Sequence, residues 1–429
     1  MHRRTQDAGR RTQAAPLGTC CHLDPCISRS LFQHQPRPIA TDATDATDVE
    51  GGGGAANDAH LQKNDDNQWY YARQSCFGKL GDALSVAVFV RPLALLTGLL
   101  WGLPHPSKYL TVLSLFFTGL LIEPLAILQD VLYWYWLRQQ TFPRNPVIII
   151  GHWRSGTTYM HQLLACDPTM ATTRNSQTIA PQISLICKTL LRWYVACIFQ
   201  KFRPIDHVAW DGDDPQEDEY GICRNCLDTN MAGVVFCHDY VPHFRRCVTN
   251  TTRAFRRALV RYAQLTWLYD GAGKTQLLIK NSAHTARIQA LMEIFPGARF
   301  VFLERRARDS IRSLVIVKEK LGVLLGLHRP ISHLRGVEET AQCYKELIES
   351  FERDRHLIPP GQLVVVPFQE FMADTVGTLR RIYEELGIDS WEQAKGPIER
   401  RVQLARSSYS SMPIRLDADA EKRLCEITE

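Results

Sequence analysis

From residue 145 onward, short apolar runs alternate with longer amphipathic ones. Residues 147–150, 277–280, 300–303 and 363–366 are rich in β-branched, leucine and phenylalanine side chains. Such runs read as short buried strands. Between them, apolar positions recur with helical spacing near 158–166, 217–231, 251–269, 285–294, 310–321, 337–353 and 371–386. Strands that alternate with helices predict an α/β fold. Its central sheet is mainly parallel, with helices covering both faces in three layers. Ligands in such sheets bind beyond the carboxyl ends of the strands.

The preceding stretch has a different pattern. Residues 86–90 are apolar and are cut by Arg91-Pro92, and 93–103 are apolar apart from Thr97. Residues 109–122 are apolar apart from threonine and serine, and then Glu123-Pro124 intervene. Each run is shorter than the roughly 20 residues of a spanning helix. Three arrangements fit residues 86–128: a helical hairpin associated with a membrane, helices packed on the domain that follows, or one true span. A true span over 110–128 has to tolerate Glu123 and Pro124. Trp101, Trp134 and Trp136 suit an interfacial position. Residues 1–70 carry a Thr-Asp-Ala repeat at 41–48 and four glycines at 51–54. They bury too little apolar surface to offset the entropy of ordering, so they are expected to be a disordered tail. The division is therefore 1–70 tail, 71–140 apolar helical region and 141–429 the α/β domain.

Composition adds limits rather than a function. The 429 residues are 45% hydrophobic and 22% charged, with a formal net charge of +5. That balance suits an anionic ligand but gives no concentrated basic run for nucleic acid. Thirteen scattered cysteines form no disulfide framework. Cys223-x-x-Cys226 with Cys237-His238 has metal-like spacing, but its apolar surroundings favour buried free thiols. Oligomeric state stays open, as does compartment, between cytoplasm and a membrane such as the Golgi.

The chemistry concentrates at Gly151-His-Trp-Arg-Ser-Gly-Thr-Thr158. A glycine-bounded loop between strand and helix points several backbone N–H groups into one concavity. The helix N-terminus adds partial positive charge, which suits a phosphate or sulfate. The spacing is that of a P-loop, but Thr157 stands where a P-loop NTPase has its lysine. The loop's own cation is therefore Arg154. A second candidate anion site follows the third strand, where Arg305 precedes Ser313 by eight residues.

This order of motifs resembles the sulfotransferases that use 3'-phosphoadenosine 5'-phosphosulfate (PAPS). The 151–158 loop is similar to the family's 5'-phosphosulfate loop, and the segment 299–305 with Ser313 to its 3'-phosphate site. The stretches 213–220 and 280–287 resemble the bacterial-type branch that carries the Gly-His-Trp-Arg loop. The likeness covers roughly residues 140–410. It implies that Ser155, Gly156, Thr157 and Thr158 hold the 5'-phosphate, and that Arg305 and Ser313 hold the 3'-phosphate. Arg154 then contacts the bridging oxygen and the sulfonate, and Lys280 serves the sulfonate or the acceptor. PAPS is the donor substrate, and no metal is required. The acceptor is a hydroxyl or amine on a carbohydrate, a lipid or another small molecule.

The acceptor loses a proton as it attacks, so a base is needed. Cytosolic relatives carry a histidine two positions after the strand-end lysine, and here that position is Ser282. Glu217, Glu219 and His284 remain as candidates. Asp214 as an N-cap and Pro215 as the first helical residue would make the acidic pair an ordinary first turn. His152 either meets the donor or packs against the sheet. Arg406 falls where relatives close a basic loop over the nucleotide. Two rivals stand beside this reading: a P-loop kinase or NTPase, and a non-catalytic membrane-bound relative.

Overall fold

The computed structural model describes residues 61–63, 69–71, 89–198, 213–329, 331–408 and 415–429. Most of the expected tail at 1–70 lies outside them. A short antiparallel ribbon pairs β1 (Leu61–Lys63) with β2 (Trp69–Tyr71). The α/β part is built on five parallel strands: β3 (Val147–Gly151), β4 (Met170–Thr172), β5 (Gln276–Lys280), β6 (Arg299–Glu304) and β7 (Leu363–Pro367). Their order is β4-β5-β3-β6-β7. The chain builds one side of β3 first and then crosses to the other. The crevice at the end of β3 is therefore the topological switch point.

The helices follow in chain order: α1 (Pro92–Leu99), α2 (Tyr109–Leu132), α3 (Trp134–Gln139), α4 (Thr157–Leu164), α5 (Asn175–Ile179) and α6 (Lys188–Ile198). Then come α7 (Asp218–Ile222), α8 (Asn230–Phe236), α9 (Tyr240–Phe244), α10 (Arg253–Asp270), α11 (Ile288–Ile294) and α12 (Ala307–Leu325). The last five are α13 (His333–Asp354), α14 (Phe368–Ala373), α15 (Thr375–Glu385), α16 (Trp391–Ser408) and α17 (Ala418–Thr428).

Alternation along β3 explains the layers. Ile148 and Ile150 point into a core with Phe255 and Leu259 of α10 and Leu291 of α11. Val147 and Ile149 point the other way, onto Met160 and Leu163 of α4, Leu379 of α15 and Ile398 of α16. All five residues of β3 are buried, as expected of a parallel strand covered on both sides.

The four predicted strands are present. The edge strand β4 is an addition to them, because three residues of Met-Ala-Thr carry almost no pattern. Predicted helix 217–231 is two short helices. Thr229 restarts the chain by accepting a hydrogen bond from the Ala232 N–H at 3.2 Å. The intervening turn is held by Arg224, which donates to the Thr178 carbonyl at 3.3 Å. Predicted helix 371–386 is likewise divided at Asp374, which caps α15 through the Gly377 N–H at 2.9 Å.

The apolar segment also differs from expectation. Glu123 and Pro124 do not interrupt it, and α2 runs through both. The Glu123 carboxylate is neutralised by Arg91 of the preceding segment, which removes its cost. With the turn before it, the segment 106–132 is long and apolar enough to cross a membrane. Yet one face of α2 is anchored to the domain. Gln129 donates to the Pro181 carbonyl at 3.1 Å and accepts from the Leu185 N–H at 2.7 Å.

Gly119 sits where α2 meets the Val90 carbonyl, and any Cβ there would press into that oxygen. Gly119→Val should therefore destabilise the protein by about 1–3 kcal/mol, read as a lower midpoint in urea. An unchanged midpoint would mean that α2 does not pack on this segment.

Candidate active site

The loop after β3 is shaped by two left-handed residues, Arg154 at φ 71° and Gly156 at φ 94°. Glycine is needed at 156 for a second reason: a Cβ would stand 3.0 Å from the Phe368 ring. Arg154 gains no such relief, and a non-glycine residue held there stores local strain. Ser155 locks the turn, since its Oγ donates to the His152 carbonyl at 2.7 Å. Thr285 accepts from the Gly151 N–H at 2.8 Å and ties the loop to the end of β5. Among the described residues no side chain caps α4, which leaves its first N–H groups to an anion.

Arg154, Arg305 and Ser313 meet in space. Arg154 Nε donates to Ser313 Oγ at 3.0 Å. Arg305 donates from Nη1 to the Arg154 carbonyl at 2.7 Å, and its guanidinium lies 4.4 Å over the Phe368 ring. The positive φ of Arg154 thus turns its carbonyl toward one arginine while its side chain reaches α12.

The acidic run 217–219 is divided among three separate sets of partners. Glu217 forms an ion pair with Lys280, whose Nζ also stands 3.5 Å from Thr158 Oγ1. Asp218 accepts from Asn281 at 2.7 Å and faces His284 Nε2 at 3.2 Å. Glu219 faces the Arg287 guanidinium at 3.4 Å and accepts from the Asn230 N–H. Glu219, His284 and Arg287 are all buried. Asp214 is not an N-cap: it pairs with Arg401 at 3.1 Å, and α7 starts only at Asp218. A bridge between Arg174 and Pro215, with the Gln216 N–H donating to the Thr173 carbonyl at 2.9 Å, keeps 215–216 extended.

Arg154, Glu217, Glu219 and Lys280 border an open cleft, while Arg305, Ser313, Asp218 and Arg287 are not part of its lining. Arg154, Thr157, Thr158, Glu217, Glu219 and Lys280 line its polar half. Tyr220, Met231, Val234, Leu314, Val317 and Leu321 line the apolar half. His284 does not reach the cleft wall, and Arg406 lies exposed at the end of α16, away from that wall.

The sulfotransferase family profile matches residues 146–393, more than half of the chain. The chain belongs to the sulfotransferase family. Two curated relatives, from Mycobacterium bovis and Mycobacterium tuberculosis, are both named omega-hydroxy-beta-dihydromenaquinone-9 sulfotransferase Stf3. Each is 25% identical over 295 residues, covering 67% of this chain and 74% of the relative. The fold is similar to the crystal structure of sulfotransferase STF1 from Mycobacterium tuberculosis, with TM-score 0.56 and 17% identity over 74% of this chain and 91% of that one. It is also similar to STF9 from Mycobacterium avium, with TM-score 0.55 and 20% identity over 72% and 80% of the two chains.

Three residues in or behind this sulfotransferase's site escape sequence reasoning, of which Lys318 lines the cleft. Phe368 backs both Gly156 and Arg305, and Thr285 anchors Gly151. Lys318 projects from α12 and stands 3.7 Å over the Tyr240 ring. Burial pushes its ammonium below the usual lysine range. A signal for Lys318 exists in the sequence, because Leu314, Val317, Lys318 and Leu321 share one helical face.

His152 packs against a helix rather than the sheet. Its ring lies 4.7 Å from Tyr344, edge to face, and it is buried. Burial pushes the imidazole down to about 3. It is therefore neutral in the native state at pH 5, where the unfolded chain's histidine is charged. Stability associated with this group is full above the unfolded value of about 6.5 and is lost as pH falls toward 3. Between pH 7 and pH 5 the loss is about 2 kcal/mol. His152→Asn should flatten the acid dependence of the unfolding free energy by that amount. An unchanged slope would show that the imidazole is not held neutral.

Proposed function

We propose that this sulfotransferase takes PAPS as donor and transfers its sulfuryl group to the hydroxyl of an apolar acceptor. The observation that carries the reading is the convergence of Arg154, Arg305 and Ser313 on one glycine-bounded loop. Two arginines and an uncapped helix N-terminus suit a ligand with two separate anionic groups.

Arg305 and Ser313 hold the 3'-phosphate, and the N–H groups of 155–158 with the Thr157 and Thr158 hydroxyls hold the 5'-phosphate. Arg154 leaves Ser313 and turns to the sulfonate and the bridging oxygen. Lys280 lies on the opposite side, beside Thr158. In-line attack by the acceptor oxygen forms the new S–O bond and breaks the bond to the 5'-phosphate. Arg154 and Lys280 stabilise the charge that appears on the leaving oxygen, and such fixed charges usually contribute most to the rate of these transfers. Glu217 takes the acceptor proton. Glu219 lines the same cleft, but its carboxylate is enclosed by Arg287 and the Asn230 N–H, whereas Glu217, paired with Lys280, is the more exposed of the two and the better placed base. His284 orients Asp218 behind it.

The acceptor's character follows from the apolar half of the cleft. Tyr220, Met231, Val234, Val317 and Leu321 offer little to a sugar and much to a hydrocarbon chain with a terminal alcohol. The Stf3 relatives are named for a hydroxylated menaquinone derivative, which agrees with a lipid-type acceptor.

The donor assignment is checked by thermal stabilisation. Micromolar 3'-phosphoadenosine 5'-phosphate should raise the melting temperature, and ATP with Mg²⁺ should not. The reverse pattern would reassign the loop to nucleotide triphosphates. With labelled PAPS and a long-chain alcohol, Arg154→Ala should lower kcat about 10²–10³-fold. Arg305→Ala should weaken bisphosphate binding about 10–100-fold. Glu217→Gln should lower kcat about 10²-fold or more at unchanged nucleotide affinity. Wild-type turnover in Glu217→Gln would remove it as the base.

A further inference from the structure

Helix α2 is apolar over most of its circumference, yet only one side is covered. Leu115, Gly119, Ile122, Ala126 and Gln129 face the domain and are buried. Leu110, Leu113, Phe117, Leu121, Leu128 and Val131 recur with helical spacing on the other side and are exposed. A surface helix in water carries polar residues on that face. The two carboxylates of α2 are drawn off to arginines, Glu123 to Arg91 and Asp130 to Arg261 at 2.5 Å. Leu93, Leu96 and Leu100 extend the patch from α1, and Leu190 and Trp193 extend it from α6. α6 belongs to it because Leu191 and Val195 pack with Ile122 and Ala126. Eighteen large apolar side chains between 93 and 136 stand exposed, far beyond the scattered ones normal on a soluble surface.

The chemistry around the patch selects its occupant. Trp134, Tyr135 and Trp136 are exposed at the end of α2, and the Arg138 guanidinium lies 4.8 Å over the Trp134 ring. Amphipathic aromatic rings favour the level of lipid headgroups. Beside this end, α10 presents Arg253, Arg257 and Arg261 at steps of four, so they share one face. All three are exposed. Positive charge along the rim of an apolar face complements anionic headgroups. The buried face from Leu115 to Gln129, with the Gln129 and Glu123 bonds, holds one side of α2 against protein and leaves the other side to lipid. At about 1.5 Å per residue, α2 would lie roughly 36 Å along the bilayer plane.

We propose that this sulfotransferase docks side-on, as a monotopic protein, on an anionic lipid bilayer through the exposed face of α1, α2, α3 and α6. The same apolar cluster continues to the cleft. Leu95 and Leu115 pack with Met231, and Val234 and Leu321 complete that cluster. Met231, Val234 and Leu321 also line the cleft. The bilayer is then the source of the acceptor. That last step rests on the acceptor reading above, whereas the docking does not.

Vesicle flotation of the full chain tests the docking, with phosphatidylcholine alone and with added phosphatidylserine. The wild type should float with the anionic vesicles, and less so in high salt. Leu121→Glu with Leu128→Glu should reduce the bound fraction at least about tenfold. The variant should keep its melting temperature and its turnover of a short soluble alcohol. Arg253→Glu with Arg257→Glu should remove only the dependence on phosphatidylserine. Absence of flotation, or wild-type binding by the double leucine variant, would overturn the proposal. So would a wild-type dimer that the leucine variant dissociates while vesicles remain unbound, which would assign the face to a second copy. Loss of turnover by the wild type itself, with flotation intact, would count against the enzymatic reading alone.

Discussion

Everything at this site depends on one set of buried charge pairs. Three consecutive acidic residues at 217–219 find Lys280, the Asn281–His284 pair and Arg287 in a segment more than sixty positions away. Buried charges are costly unless paired and hydrogen-bonded, so the two segments can sit at the end of β5 only together. Their pairing sets the wall of the cleft opposite the loop. It also separates the roles of similar residues. Glu217 reaches the cleft beside Lys280, while Glu219 is drawn back by Arg287 and steadies the start of α8.

The loop across the cleft uses strain for the same end. Arg154 is held at positive φ, which sends its carbonyl to Arg305 and its side chain to Ser313. Two strand ends and one helix are thereby tied to a single residue. Arginine at this place stays charged at any relevant pH and offers a forked donor set, so it serves a leaving phosphate better than it serves proton transfer. The proposed base therefore comes from elsewhere, and Glu217 is the less buried of the two carboxylates that line the cleft.

Much of the core was legible because parallel strands are continuous apolar runs. The four runs at 147, 277, 300 and 363 needed no tertiary information. The loop was legible because glycine spacing at a strand end has few alternative explanations. Other features were not. β4 is three residues long and owes its existence to its neighbour β5. The break between α7 and α8 depends on partners contributed from elsewhere, Thr178 to Arg224 and Arg287 to Glu219. Proline and glutamate inside α2 read as a stop, since the Arg91 that neutralises Glu123 is thirty-two positions away. Pairing of the 213–220 stretch with 280–287 was within reach, because each carries the charges that the other lacks.

The central claim is a grip on two separate phosphates by Arg305 with Ser313 on one side and the loop on the other. Calorimetric titration of adenosine 5'-phosphate against 3'-phosphoadenosine 5'-phosphate tests it most directly. One charge-assisted contact set is worth about 1.5–3 kcal/mol, so the bisphosphate should bind roughly 10–150-fold more tightly. Equal affinity for the two nucleotides would contradict the account.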